Sequence, residues 1–160
     1  MCLRPVGLEP ARLVLSPKER VGFLPVSRDS FTISRIFVVD LTVLAVFAHP
    51  DDETILAGGI LAMLADQGAT LHILLATRGE GGELGEPPLT ERSQLGMVRE
   101  AELRCAAEKL GAESVLIMDY IDPLVGQGEA LYPFKADFEG LAQEIGAARQ
   151  ATQADVLITH

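Results

Sequence analysis

The sequence predicts an α/β fold, a Rossmann-like three-layer α/β/α arrangement around a mainly parallel sheet. Three observations carry that expectation. From residue 41 onward, short β-rich apolar runs alternate with helix-length stretches, in the order strand, helix, strand, helix, strand, helix, strand. The polar residues with chemical potential gather just after the strand-like runs, where open parallel sheets bind their ligands. Finally, 160 residues at 48% hydrophobic and 22% charged suit one domain with a buried core.

Each element has a local reason. LTVLAVF at 41–47 is a short apolar run bounded by HPDD and reads as a buried strand. ETILAGGILAMLAD at 53–66 reads as a helix that stops at Gln67-Gly68, where glycine supplies the C-terminal turn. ATLHILLAT at 69–77 is the second strand, and RGEGGELGEPPL at 78–89, with its glycines and Pro-Pro pair, is a loop. Residues 91–110 place Leu95, Val98, Ala101, Leu103, Ala106, Ala107 and Leu110 near helical spacing, and Gly111 closes that helix. ESVLIMD at 113–119 is the third strand and YIDPLVGQGEALYPF at 120–134 a second long loop. Residues 135–149 form a third helix, and ADVLITH at 154–160 a fourth strand. Residues 1–40 stand outside this rhythm and read as an N-terminal extension of uncertain order, with RIFVVD as a strand stub at most; 41–160 form the domain.

The charge is lopsided. Residues 1–40 carry six Lys/Arg against four Asp/Glu, whereas the rest carries seven against nineteen, which together give the net −10. An acidic body argues against a nucleic-acid partner, which requires clustered cations. No apolar run is long enough for a membrane span, and the start lacks a secretory signal pattern, so the cytoplasm is the default location. Cys2 and Cys105 are too few for a disulfide framework, and Cys105 is expected as a buried free thiol. His72, within the second strand, is expected as a packed or hydrogen-bonded histidine.

The stretch FAHPDDETILAGG at 47–59 poses the functional question. Acids in a first helical turn cap free N–H groups and suit the helix dipole, and proline is comfortable there. That accounts for Asp51, Asp52 and Glu53 without chemistry. It does not account for a histidine at the strand end with an aspartate three positions on, a pair able to close on one metal ion. Spacing alone leaves capping and metal binding open.

AHPDDE at 48–53, followed by a helix with paired glycines, resembles the opening motif of the LmbE-like (PIG-L-type) zinc-dependent deacetylases, which act on N-acetylglucosamine-containing substrates and include mycothiol- and bacillithiol-pathway enzymes. The likeness continues through TRGEGGELG at 77–85, R-x-x-E-x-x-x-A at 99–106, DYID at 119–122 and VLITH at 156–160. It implies that His49 and Asp52 are zinc ligands (another divalent metal such as Fe2+ would also suit) and that Asp51 is the general base toward the attacking water. Glu83, Arg99 and Asp122 match positions that hold the sugar. For Arg99, an i,i+3 pair with Glu102 on a wet helix face remains an open alternative. Arg78, Glu80 and Asp119 are expected to be loop structure. The implied partner is a small acetylated amino-sugar conjugate, and a homo-oligomer is left open.

The resemblance also implies a third zinc ligand from a later G-x-x-G-x-x-H-P-x-H-like motif, beginning after the residue that matches His160. The expectation is therefore a fold incomplete at its C-terminus, in a polypeptide that is poorly soluble or inactive alone. His160 is not expected to replace that ligand. The rival readings are an inactive remnant of such an enzyme and a Rossmann-like module binding a small ligand. A nucleotide site would need G-x-G-x-x-G between the first strand and helix, where this chain has HPDD.

Overall fold

A computed structural model of the chain describes residues 41–124 and 136–160. The expected N-terminal extension, residues 125–134 of the second long loop and residue 135 of the expected third helix lie outside the described residues. Four strands form one sheet: β1 (Thr42–Phe47), β2 (Thr70–Leu75), β3 (Ser114–Ile117) and β4 (Val156–Ile158). Their order is β3-β2-β1-β4 and every pairing is parallel. The register runs from Thr42↔Thr70 to Phe47↔Leu75 between β1 and β2, and from His72↔Ser114 to Leu75↔Ile117 between β2 and β3.

The three expected layers follow from residue alternation along the strands. Val43, Ala45 and Phe47 of β1, with Leu71, Ile73 and Leu75 of β2, meet Ala57 and Leu61 of helix α2 (Gly58–Asp66) and its entry, and Leu103 and Ala107 of α3 (Leu95–Leu110). Leu44 and Leu74 point the other way, packing with Ala76, Met118 and Ala154 and with Leu141, Ile145 and Ala148 of α4 (Phe138–Thr152). Because β1–β2–β3 build outward on one side and β4 returns to the other side of β1, the strand order reverses at β1. That reversal places the turn after β1 where such sheets bind ligands.

Three boundaries differ from the sequence reading. The helix expected over 53–66 is broken into α1 (Asp52–Ile55) and α2, with Ala57 at φ −129°, outside helical geometry. The Gly58-Gly59 pair beside that break has weak helix preference. Residues 92–94 form a 3₁₀ turn before α3 begins. The last helix starts later than expected because Asp137 Oδ2 accepts the Gly140 N–H at 2.9 Å and caps it. His72 is buried and its Nδ1 lies 2.8 Å from Ser114 Oγ, as a hydrogen-bonded histidine should. Cys105, expected as a buried free thiol, is half-buried rather than buried. Among the described residues, no helix is long and apolar enough to cross a membrane.

Candidate active site

The β1–β2 ladder continues past the strand ends: Ala76 N donates to Phe47 O and Thr77 N to Ala48 O, at 3.0 and 3.1 Å. His49 is thus the first residue released from the sheet, and the chain turns at once. Asp52 Oδ2 accepts the His49 main-chain N–H at 3.0 Å and also lies 3.5 Å from His49 Nδ1. Asp52 therefore does not cap a helix N–H: the same oxygen fixes the turn ahead of α1 and faces the ring.

Asp51 departs from the capping reading. It precedes α1 yet makes no side-chain capping bond, and its backbone sits at φ 106°. A non-glycine residue there costs on the order of 1–3 kcal/mol and persists only when its surroundings hold it. Glu53 supplies much of that hold. Its side chain is almost wholly buried, with Oε2 accepting the Asp51 N–H at 2.9 Å and Oε1 accepting the Thr54 hydroxyl at 2.8 Å. The Asp51 carbonyl accepts from Thr54 N and Ile55 N. The carboxylate is left half-exposed and paired with Arg99 Nη2 at 2.7 Å.

Arg99 reaches this turn from α3, and the same Nη2 donates to Pro50 O. Its guanidinium therefore engages the turn after β1 rather than serving as a surface partner of Glu102. It lies against the glycine loop after β2, where a Cβ at Gly82 would come within 2.6 Å of Arg99 Nη1. Asp122, after β3, is buried; its Oδ2 accepts the Gly81 N–H at 3.1 Å and its Oδ1 lies 3.3 Å from His49 Nε2. Glu80 ties the loop inward, with Oε2 accepting from Arg78 N and Oε1 from Asp122 N. Arg78 pairs with Glu100 at 3.2 Å. These contacts give Arg78 and Glu80 the loop-building roles expected of them.

The structure thus brings His49, Asp51, Asp52, Arg99 and Asp122 together. Glu83 is exposed in the loop after β2, with no hydrogen bond or ion pair to this group among the described residues. His160 stacks on Phe47, ring centroids 5.8 Å apart. Tyr120 Oη donates to Glu144 Oε1 at 2.9 Å, and that bond, by holding the phenol proton, raises the Tyr120 pKa. Sequence reasoning missed the buried Glu53 and the contact of Asp122 with His49. A glutamate in a first helical turn ordinarily faces solvent, and the Asp122 contact spans two crossovers.

The loops after β2 and β3 nearly touch. A Cβ at Gly81 would run into the Pro123 carbonyl and come within 2.7 Å of Asp122 O. Gly81→Ala is therefore expected to destabilise the chain by about 1–3 kcal/mol. In a melting experiment that is roughly 2–4 °C per kcal/mol at this size; an unchanged melting temperature would mean this close approach does not form.

Zinc bonds of about 2.0–2.2 Å at tetrahedral angles set two donor atoms about 3.3–3.5 Å apart. His49 Nδ1 and Asp52 Oδ2, at 3.5 Å, are of that separation and of suitable chemistry. Among the described residues, no group of three or more His, Cys, Asp or Glu is placed to hold a metal ion.

The chain is 53% identical over 74 residues, 43% of its length and 23% of the relative's, to the 1D-myo-inositol 2-acetamido-2-deoxy-alpha-D-glucopyranoside deacetylase of Segniliparus rotundus. It is 32% identical over 112 residues, 69% of its length and 50% of the relative's, to the probable N-acetyl-alpha-D-glucosaminyl L-malate deacetylase 2 of Bacillus cereus. It therefore spans half or less of these curated relatives. Among solved structures, the N,N'-diacetylchitobiose deacetylase of Pyrococcus horikoshii shares the fold, with TM-score 0.59, 24% identity, and 79% of this chain and 43% of that one covered. GalB, a 4-carboxy-2-hydroxymuconate hydratase of Pseudomonas putida, matches with TM-score 0.58 and 29% identity over 75% of this chain and 47% of that one. Residues 44–160 match the family described as PIG-L, GlcNAc-PI de-N-acetylase, and the chain belongs to that family.

Proposed function

We propose that this chain carries the metal-binding and general-base residues of a zinc-dependent hydrolase that removes an acetyl group from an N-acetylglucosamine-containing small molecule. The observation that carries the reading is the His49–Asp52 donor pair at 3.5 Å beside an Asp51 carboxylate left unspent by helix capping. Relatives named as N-acetylglucosaminyl deacetylases support the substrate class.

His49 Nδ1 and Asp52 Oδ2 would hold the cation, which when bound supplies Lewis acidity for hydrolysis. Asp51 takes a proton from the attacking water as the new C–O bond forms. The C–N bond then breaks, acetate departs, and the proton held by Asp51 passes to the leaving amine. Arg99 keeps the Asp51 carboxylate facing the turn through its 2.7 Å contact. Exposed Glu83 offers an acceptor for sugar hydroxyls.

A second reading has its own support, since GalB at 29% identity is named as a hydratase and one fold can host several reactions. The test is to load the purified chain with zinc, measure its metal content, and follow acetate release from an N-acetylglucosaminyl conjugate. Stoichiometric zinc with acetate release would bear out the proposal and overturn the expectation that the chain is inactive alone. Zinc without acetate would favour the non-catalytic remnant, hydration of an unsaturated acid would favour the second reading, and absence of both zinc and acetate would overturn the proposal.

A further inference from the structure

Both ring nitrogens of His49 face carboxylates: Nδ1 lies 3.5 Å from Asp52 Oδ2 and Nε2 lies 3.3 Å from Asp122 Oδ1. A neutral imidazole has one N–H, and an ionised carboxylate only accepts. The two carboxylates are not equivalent. Asp52 Oδ2 already accepts the His49 main-chain N–H at 3.0 Å, and its side chain is 19% exposed. Asp122 is 8% exposed and locked in direction, because its other oxygen receives the Gly81 N–H at 3.1 Å. Its Oδ1 is thus the closer and more buried of the two carboxylate oxygens that face the ring.

We infer that Asp122 is a positioning residue for His49, holding the ring in the Nε2–H tautomer so that the Nδ1 lone pair is presented beside Asp52. In the resemblance-based reading Asp122 contacts the sugar; here it acts through the histidine instead. Its consequence for metal rests on the proposed His49–Asp52 ligand pair, since a carboxylate on the outer nitrogen fixes ring orientation and raises ligand basicity.

Asp122→Asn separates the two roles. The asparagine oxygen can still accept from Gly81 N–H and keep the loop in place. Its NH2 then faces Nε2 as a donor, which drives the ring proton to Nδ1 and blocks the lone pair there. The readout is the ¹⁵N signature of the His49 ring in the metal-free chain at about pH 9, above the ordinary histidine range. The other two histidines, His72 and His160, are assigned through His→Gln variants. The wild type should show Nε2–H and Asp122→Asn should show Nδ1–H, with zinc affinity in parallel titrations lower by about 10–100-fold. The same tautomer in both chains, or a wild-type ring protonated at Nδ1, overturns the inference. A wild type that takes up no zinc defeats the proposed metal site, while the tautomer comparison still decides this one.

Discussion

Replacing Asp51 by asparagine is expected to lower acetate release by about 10²–10⁴-fold while zinc content stays unchanged. Asparagine has the same shape and can retain the Glu53 bond to its main-chain N–H, since that bond does not involve the substituted side chain. The strained turn at φ 106° should therefore persist, and with it the His49–Asp52 pair. What disappears is the capacity to take a proton, together with half of the ion pair to Arg99. A residue whose only duty were to begin helix α1 would behave otherwise, because Asp51 makes no side-chain capping bond to lose. Full turnover in Asp51→Asn, in a chain that releases acetate, would remove Asp51 from the chemistry.

His49→Ala gives the second large effect. With Asp52 as the other donor, removing the imidazole leaves a single carboxylate, and zinc affinity is expected to fall by more than about 100-fold, beyond the range typical of outer partners. The change also strips Asp122 of the group its Oδ1 faces, but the Gly81 N–H bond to Oδ2 remains. The fold should survive, because His49 lies outside the sheet ladder and is itself only half-buried. The measurement is zinc titration alongside a melting curve without metal. Undiminished zinc binding with an unaltered melt would place the cation elsewhere.

The strands were legible because each is a short apolar run bracketed by polar or glycine-rich turns, and the sheet's parallel order followed from the helices between them. Leu44 and Leu74 pointing one way, with Val43 and Ile73 the other, required only the period-2 rule once the runs were placed. The break between α1 and α2 was not legible. Leucines and alanines on both sides of Gly58-Gly59 give a continuous helical pattern, and the weak helix preference of two glycines does not by itself say that the helix breaks at Ala57. At the site, the spacing of His49 and Asp52 announced itself, as did the clustering of acids at the strand ends. The partner of Arg99 did not: the sequence offered a substrate sugar or Glu102 at i+3, and Asp51 across the sheet edge emerges only once α3 is packed. Asp122 was offered as a sugar-holding candidate through family likeness, but its contact with His49 Nε2 exists only in three dimensions.

The Arg99 grip makes α3 a lever. This helix runs sixteen residues, Leu95–Leu110, roughly 24 Å at 1.5 Å per residue, and is seated on the sheet through Leu103 and Ala107. Near its leading end it holds the Pro50 carbonyl and the Asp51 carboxylate. A slide or tilt at the seated part is delivered to that carboxylate as a displacement, without any change in the residues that touch it. Distant repacking beneath Leu103 thus becomes a means of detuning the turn, and catalytic defects arising there need not signal a residue near the chemistry.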